Sequence, residues 1–263
     1  MSEVGSHPPG TFCWPELATT DRPAAVTFYR ELFGWGVDDR PMGPGEVYSM
    51  LRVGGKDVAA AFSIGSDDRQ RGTPPHWGSY IAVVSANDAA TRAAELGGTV
   101  LAPPFDVMDS GRMAVLQDPS GAVFSVWEPK KHPGARLLGE PGALVWTELT
   151  SRDPVVAGNF YSALFGWTGE TTEMPRVGPY TVFSVNGVLV GGMMGMMPGM
   201  EGTPSYWMPY FSAADIDASA RKVSALGGKV VVPPCSLPDG SRFAVLTDPQ
   251  GAYVGLFTVA PTK

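Results

Sequence analysis

From Cys13 to Thr19 the side chains change character at every step. Trp14, Glu16 and Ala18 alternate with Cys13, Pro15 and Leu17, a period of two that predicts a strand ended by a Thr-Thr-Asp turn. The period then lengthens. Ala25, Phe28, Tyr29, Leu32 and Phe33 recur on one face of a helix, with Asp21 as N-cap and Gly34 as its stop. The whole stretch is stated twice. Trp146-Thr-Glu-Leu-Thr-Ser-Arg-Asp153 and Phe160-Tyr161-Ser-Ala-Leu-Phe-Gly-Trp167 repeat it at a constant displacement (146 − 14 = 132), now with Pro154 at the first helical position.

Apolar runs at 47–53 and 58–64, split by Gly54-Gly55, predict a hairpin, and 66–75 reads as a polar loop. The unit then starts over. A strand at 77–84 leads to a helix through Ala89, Ala90, Ala93, Ala94 and Leu96, and strands follow near 99–102, 113–116 and 123–127, the last after the Asp118-Pro-Ser-Gly121 turn. Later landmarks recur as Trp207, Leu226-Gly227-Gly228 and Asp248-Pro-Gln-Gly251, at a displacement of 130 (207 − 77), so the halves differ by two residues between hairpin and loop. The expected organisation is a flexible tail at 1–9, a first domain at 10–127, a linker at 128–141 and a second domain at 142–263.

Asp21, Phe28-Tyr29, Leu32-Phe33-Gly34, Leu96-Gly97-Gly98 and Asp118-Pro-Ser-Gly121, in that order and twice over, resemble the glyoxalase, bleomycin-resistance and extradiol dioxygenase superfamily, the vicinal oxygen chelate proteins. More narrowly, the chain looks like duplicated actinobacterial proteins often labelled hydroxylases, some from anthracycline-type polyketide pathways. The resemblance implies an α+β fold of four strand-helix-three-strand (βαβββ) modules, paired into two cupped mixed sheets with flanking helices. It also implies a divalent metal in the cup, held by His or Gln on the first strand, Glu on the fourth, His on the fifth and Glu on the last. Matched residue by residue, those positions hold Trp14 and Trp146, Ala60 and Gly192, Tyr80 and Tyr210, and Ser125 and Gly255. None suits a hard divalent ion. The chain has only His7, His76 and His132, one in the tail, one in a loop and one in the linker, so the expectation is no metal and no cofactor.

Composition narrows the partners. With 44% hydrophobic and 17% charged residues the chain is a globular one, and a net charge of −7 without a long Lys/Arg run excludes a phosphate-tracking surface, hence nucleic acid. Two cysteines, Cys13 and Cys235, and no apolar leader or membrane-length run predict a reduced, cytoplasmic protein off the membrane, a monomeric pseudo-dimer or weak homodimer.

What remains for the cup is aromatic. Trp14, Tyr80, Trp146 and Tyr210, with Tyr48 and Tyr180 from the hairpins, Ser125, and Met193 from a Met-rich run, are the candidate ligand-binding residues; each can equally be core packing. Glu16 and Glu148 lie two residues on from the tryptophans and share their strand face. They are candidate proton carriers, or structural partners of Arg22 and Arg152. The expected function is metal-free binding of a small, planar, hydrophobic natural product such as an aromatic polyketide, in antibiotic biosynthesis, sequestration or self-resistance, with a pathway oxygenase as a further partner. The alternative is a hydroxylase component, or a cofactor-free cyclase or isomerase that uses Glu16 or Glu148.

Overall fold

A computed structural model describes residues 3–175 and 177–260. The first half forms β1 (Phe12–Thr19), α1 (Arg22–Phe33), β2 (Gly36–Gly43), β3 (Glu46–Val53), β4 (Lys56–Ser63), α2 (Ser66–Gln70), β5 (His76–Ala82), α3 (Ala86–Glu95), β6 (Thr99–Val107), β7 (Gly111–Gln117) and β8 (Val123–Pro129). The second forms β9 (Leu144–Ser151), α4 (Pro154–Phe165), β10 (Thr168–Met174), β11 (Gly178–Val185), β12 (Val188–Gly195), β13 (Tyr206–Ser212), α5 (Ile216–Ala225), β14 (Lys229–Ser236), β15 (Arg242–Thr247) and β16 (Tyr253–Thr258). Each half makes one mixed eight-stranded sheet, in the orders β2-β3-β4-β1-β5-β8-β7-β6 and β10-β11-β12-β9-β13-β16-β15-β14. The two modules of a sheet meet at its centre, where β1 runs antiparallel to β5 and β9 to β13. This is the expected α+β arrangement of four modules.

The helices start and stop where the sequence says. Asp21 and Asp153 accept from the amides of Ala24 and Val156, and Gly34 and Gly166 close α1 and α4 in the left-handed conformation at φ 72° and 71°. Both edge strands, β2 and β10, escape the hydrophobic pattern. They carry Asp38, Asp39 and Arg40, and Thr168, Glu170 and Thr172, and are almost wholly solvent-exposed, so nothing forces an apolar alternation. Likewise α2 forms within the expected polar loop and buries none of its residues.

The core lies between the sheets. One cluster joins Leu17, Phe28, Tyr29 and Trp35 of the first half to Phe211, Val223 and Leu246 of the second; another joins Phe12, Ile81 and Phe124 to Phe160, Tyr161 and Trp167. The repeated Phe-Tyr and Gly-Trp motifs sit in this seam. Tyr29 donates to Asp248 Oδ2 at 3.1 Å while accepting from Trp77 Nε1 at 2.9 Å, and Tyr161 accepts from Trp207 Nε1 at 2.7 Å while facing Asp118. Trp35 Nε1 donates to Gly142 O at 2.8 Å, and Trp167 Nε1 to Gly10 O at 2.7 Å. Each half thus reaches across for its partner's first-strand approach and its Asp-Pro-x-Gly turn. The opposite sheet faces are left free to form cups. Among the described residues no helix is long and apolar enough to cross a membrane.

The expectation of a flexible tail needs correction from residue 3 onward. Glu3 bridges to Leu137, Val4 N donates to Arg136 O, and the buried His7 contacts Ala135 O through Nε2 at 2.8 Å. The linker is equally ordered, with Ala135 N bonded to Cys13 O and Arg136 N to Asp57 O. Both segments satisfy backbone groups by pairing with one another and with the rim of the first cup.

Candidate functional site

Alternation along β1 and β5 sends Trp14, Glu16 and Tyr80 to one face of the first sheet, with Leu17 and Trp77 on the helix side. Register then gathers the candidates: Trp14 lies opposite Tyr80, Glu16 beside Ala60, and Tyr80 beside Ser125. In the second sheet Trp146 faces Tyr210, Glu148 pairs with Gly192, and Tyr210 with Gly255. The two glycines matter. A Cβ at Gly192 would run into the Tyr180 hydroxyl, and one at Gly255 into the Tyr210 ring, so both tyrosines lie flat over backbone that must stay bare.

A hydrogen-bond chain crosses each cup floor. In the second, Trp146 Nε1 donates to Tyr180 OH at 3.0 Å, Tyr180 OH to Glu148 Oε2 at 2.8 Å, and Tyr210 OH to Glu148 Oε1 at 2.9 Å. In the first, Trp14 Nε1 donates to Tyr48 OH at 3.1 Å, Tyr80 OH donates to Glu16 Oε2, and Tyr48 faces the same carboxyl. Burial pushes both carboxyls above the usual carboxylate range, and the tyrosine hydroxyls pull partly the other way. Tyr80 and Tyr210 are raised well above an ordinary phenol, by burial and then by the neighbouring carboxylate. Neither arginine reaches these carboxyls. Arg22 donates to Asp39 and Ser49, and Arg152 to Glu201 O.

The cups differ in what covers them. In the first, the His132 ring stands edge-on to Trp14 with centroids 4.6 Å apart, Trp127 Nε1 donates to His132 O, and Ala135 joins the cluster of Trp14, Met50 and Tyr80. Trp14 is left 4% exposed, Met50 2% and Trp127 6%. Their repeats Trp146, Val182 and Phe257 all remain partly open. Burial also drives His132 down to about 4, so the plug is uncharged at ordinary pH. Gly134 makes the plug fit: its φ is +110° and a Cβ there would stand 2.5 Å from Cys13 O. Gly134→Ala is expected to cost about 1 to 3 kcal/mol through this strain and to increase Trp14 exposure, read by denaturation midpoint and fluorescence quenching.

One candidate is misplaced. Met193 is 4% exposed on the helix side, its Cε 3.5 Å from the Cβ position of Gly158 in α4, because it is one residue out of phase with Tyr180. Met194, paired with Tyr180, faces the cup instead. Sequence reasoning also passed over Tyr206, Phe243 and Phe257, which pack beside Trp146 and Tyr210. The period of two from Tyr206 through Met208 to Tyr210 is the signal that finds the first of them.

The metal positions do not fit a metal. Trp, Ala or Gly, Tyr, and Ser or Gly face inward there, each cup holds a single carboxyl already bonded to tyrosine, and no group of three His, Cys, Asp or Glu converges among the described residues.

Comparison with known proteins agrees with this architecture. CFP32 of Mycobacterium tuberculosis (strain CDC 1551 / Oshkosh), which carries a glyoxylase name, is 41% identical over 100% of both chains. The anthracycline biosynthesis protein DauV of Streptomyces sp. (strain C5) is 35% identical, over 93% of this chain and 91% of its own. The Mn(II)-bound glyoxalase of Novosphingobium aromaticivorans superposes with a TM-score of 0.66 at 12% identity, over 95% of this chain and 82% of that one, a likeness of fold alone. The family model for the Glyoxalase/Bleomycin resistance protein/Dioxygenase superfamily matches residues 12–126. With a full-length relative at 41% identity, the chain belongs to the glyoxalase/bleomycin resistance protein/dioxygenase superfamily.

Proposed function

We propose that the second cup binds a flat, largely apolar aromatic molecule without the aid of a metal. The observation that carries this reading is the open aromatic floor around Glu148: Trp146, Tyr180 and Tyr206 keep solvent-facing surface, while the equivalent Trp14 is sealed under the linker. Partly exposed aromatic rings around a few oriented polar groups describe a small-molecule site better than a packed core. The name of the relative DauV supports taking the ligand from the fused-ring polyketides and the role from their biosynthesis or handling.

A second reading rests on the raised Glu148 carboxyl at the floor. In its protonated form it can give its proton to a ligand carbonyl and take one back from a neighbouring carbon, an isomerisation with no net change in protons. Under that reading Glu148→Gln binds normally and abolishes turnover.

The binding reading is tested by calorimetric titration of chelator-treated protein with acridone, a neutral tricyclic. Saturable binding unchanged by added Mn, Zn, Ni or Fe is expected. Binding that appears only with one of these metals, at one equivalent per chain, would overturn it.

A further inference from the structure

We infer, resting on the binding reading above, that the molecule held in the second cup is a cation: an aromatic ring system bearing a protonated amine that sits against Glu148. Three observations lead there. First, the carboxyl sits among aromatic residues, with the hydroxyls of Tyr180 and Tyr210 on it and Trp146 and Tyr206 packed in the same cluster, and aromatic ring faces attract a cation that lies over them. Second, each Glu148 oxygen accepts one tyrosine hydroxyl and so keeps a lone pair for a further donor.

Third, among the described residues no basic side chain acts on Glu148: the influences on it are burial, Tyr180 and Tyr210. Arg152 is spent on Glu201 O, and Arg242 on Asp217. The first cup differs at this point. There His76 acts on Glu16 and Arg40 on Tyr48. The repeat places Tyr206 at the His76 position (76 + 130) and Thr172 at the Arg40 position (40 + 132). These two basic positions therefore carry uncharged residues in the open cup. An anion entering the second cup would meet an uncompensated carboxylate and aromatic faces, whereas a cation would be matched by both.

The pH dependence follows. Glu148 is faced by Tyr180 on β11, Tyr206 and Tyr210 on β13, and Gly192 and Met194 on β12, none of them charged near neutrality. A cation selects the carboxylate form, so its binding releases a proton wherever Glu148 is protonated. Its affinity rises with pH through the raised range of that carboxyl and then levels off.

The test uses three matched tricyclics on the full chain: 9-aminoacridine as cation, acridone as neutral, and acridine-9-carboxylate as anion, titrated by calorimetry at a pH well above the carboxylate range. The cation is expected to bind at least ~10-fold more tightly than acridone, and the anion weakest. In Glu148→Gln, which keeps the shape and an acceptor, the ratio of 9-aminoacridine to acridone affinity should collapse toward one, and an unchanged ratio overturns the cation assignment; a parallel melting curve confirms folding. Acridone binding as well as or better than 9-aminoacridine overturns the cation assignment and leaves the aromatic cup standing. Failure of all three to bind overturns both.

Discussion

Trp35→Ala should remove about 3 to 5 kcal/mol of folding stability, a large part of the 5 to 15 kcal/mol that native proteins typically possess. Trp35 is 2% exposed and stacks on Phe33 with centroids 4.8 Å apart. It meets Phe211 of the other half edge-on, and its indole N–H satisfies Gly142 O at the entry to the second sheet. Truncation leaves a cavity in a core that both halves share and an unpaired carbonyl at their junction. The loss should therefore not be confined to the first half. Chemical denaturation followed by tryptophan fluorescence and by far-ultraviolet circular dichroism should show one shifted transition on both probes. Two separated transitions, or a loss below about 1 kcal/mol, would mean the seam is a loose contact between independent units.

Trp146→Ala should act on the ligand rather than on the fold. Its ring is partly open and contributes one face of the aromatic floor, so its removal is expected to weaken ligand binding by roughly 2 kcal/mol or more, about thirtyfold in Kd. Loss of the N–H to Tyr180 also frees that hydroxyl to turn away from Glu148. Trp14→Ala is the internal control. Buried under His132 and Ala135, it should lose stability on the order of a core truncation, about 3 to 5 kcal/mol, and leave ligand affinity in the folded protein unchanged. Calorimetric Kd values and denaturant midpoints for the two variants separate the roles, and interchange of the two patterns would refute the assignment of cups.

Most of the fold could be read because duplication states each module twice and because strand and helix periods are carried by buried residues. Trp14, Glu16 and Tyr80 share a face for the reason the alternation gives. Reading failed where burial imposes no pattern, as in β2 and β10, and where a single residue of phase decides the face, as with Met193 and Met194. The sealing of the first cup was hidden for a different reason. His132 and Ala135 lie in a stretch rich in Pro and Gly that reads as linker, and their contacts with Trp14 and Cys13 span more than a hundred residues. No local signal carries such a contact. The repeat itself argues for two like cups, and the covering segment together with a few lining exchanges, such as His76 to Tyr206, makes them unlike.

That asymmetry is the centre of the account, and binding stoichiometry tests it most directly. Titration of the full chain with 9-aminoacridine or acridone, whichever binds tighter, should give one site per chain, lost or strongly weakened in Trp146→Ala and intact in the conservative Trp14→Phe. Two equivalent sites per chain, or a single site that survives Trp146→Ala, would contradict it.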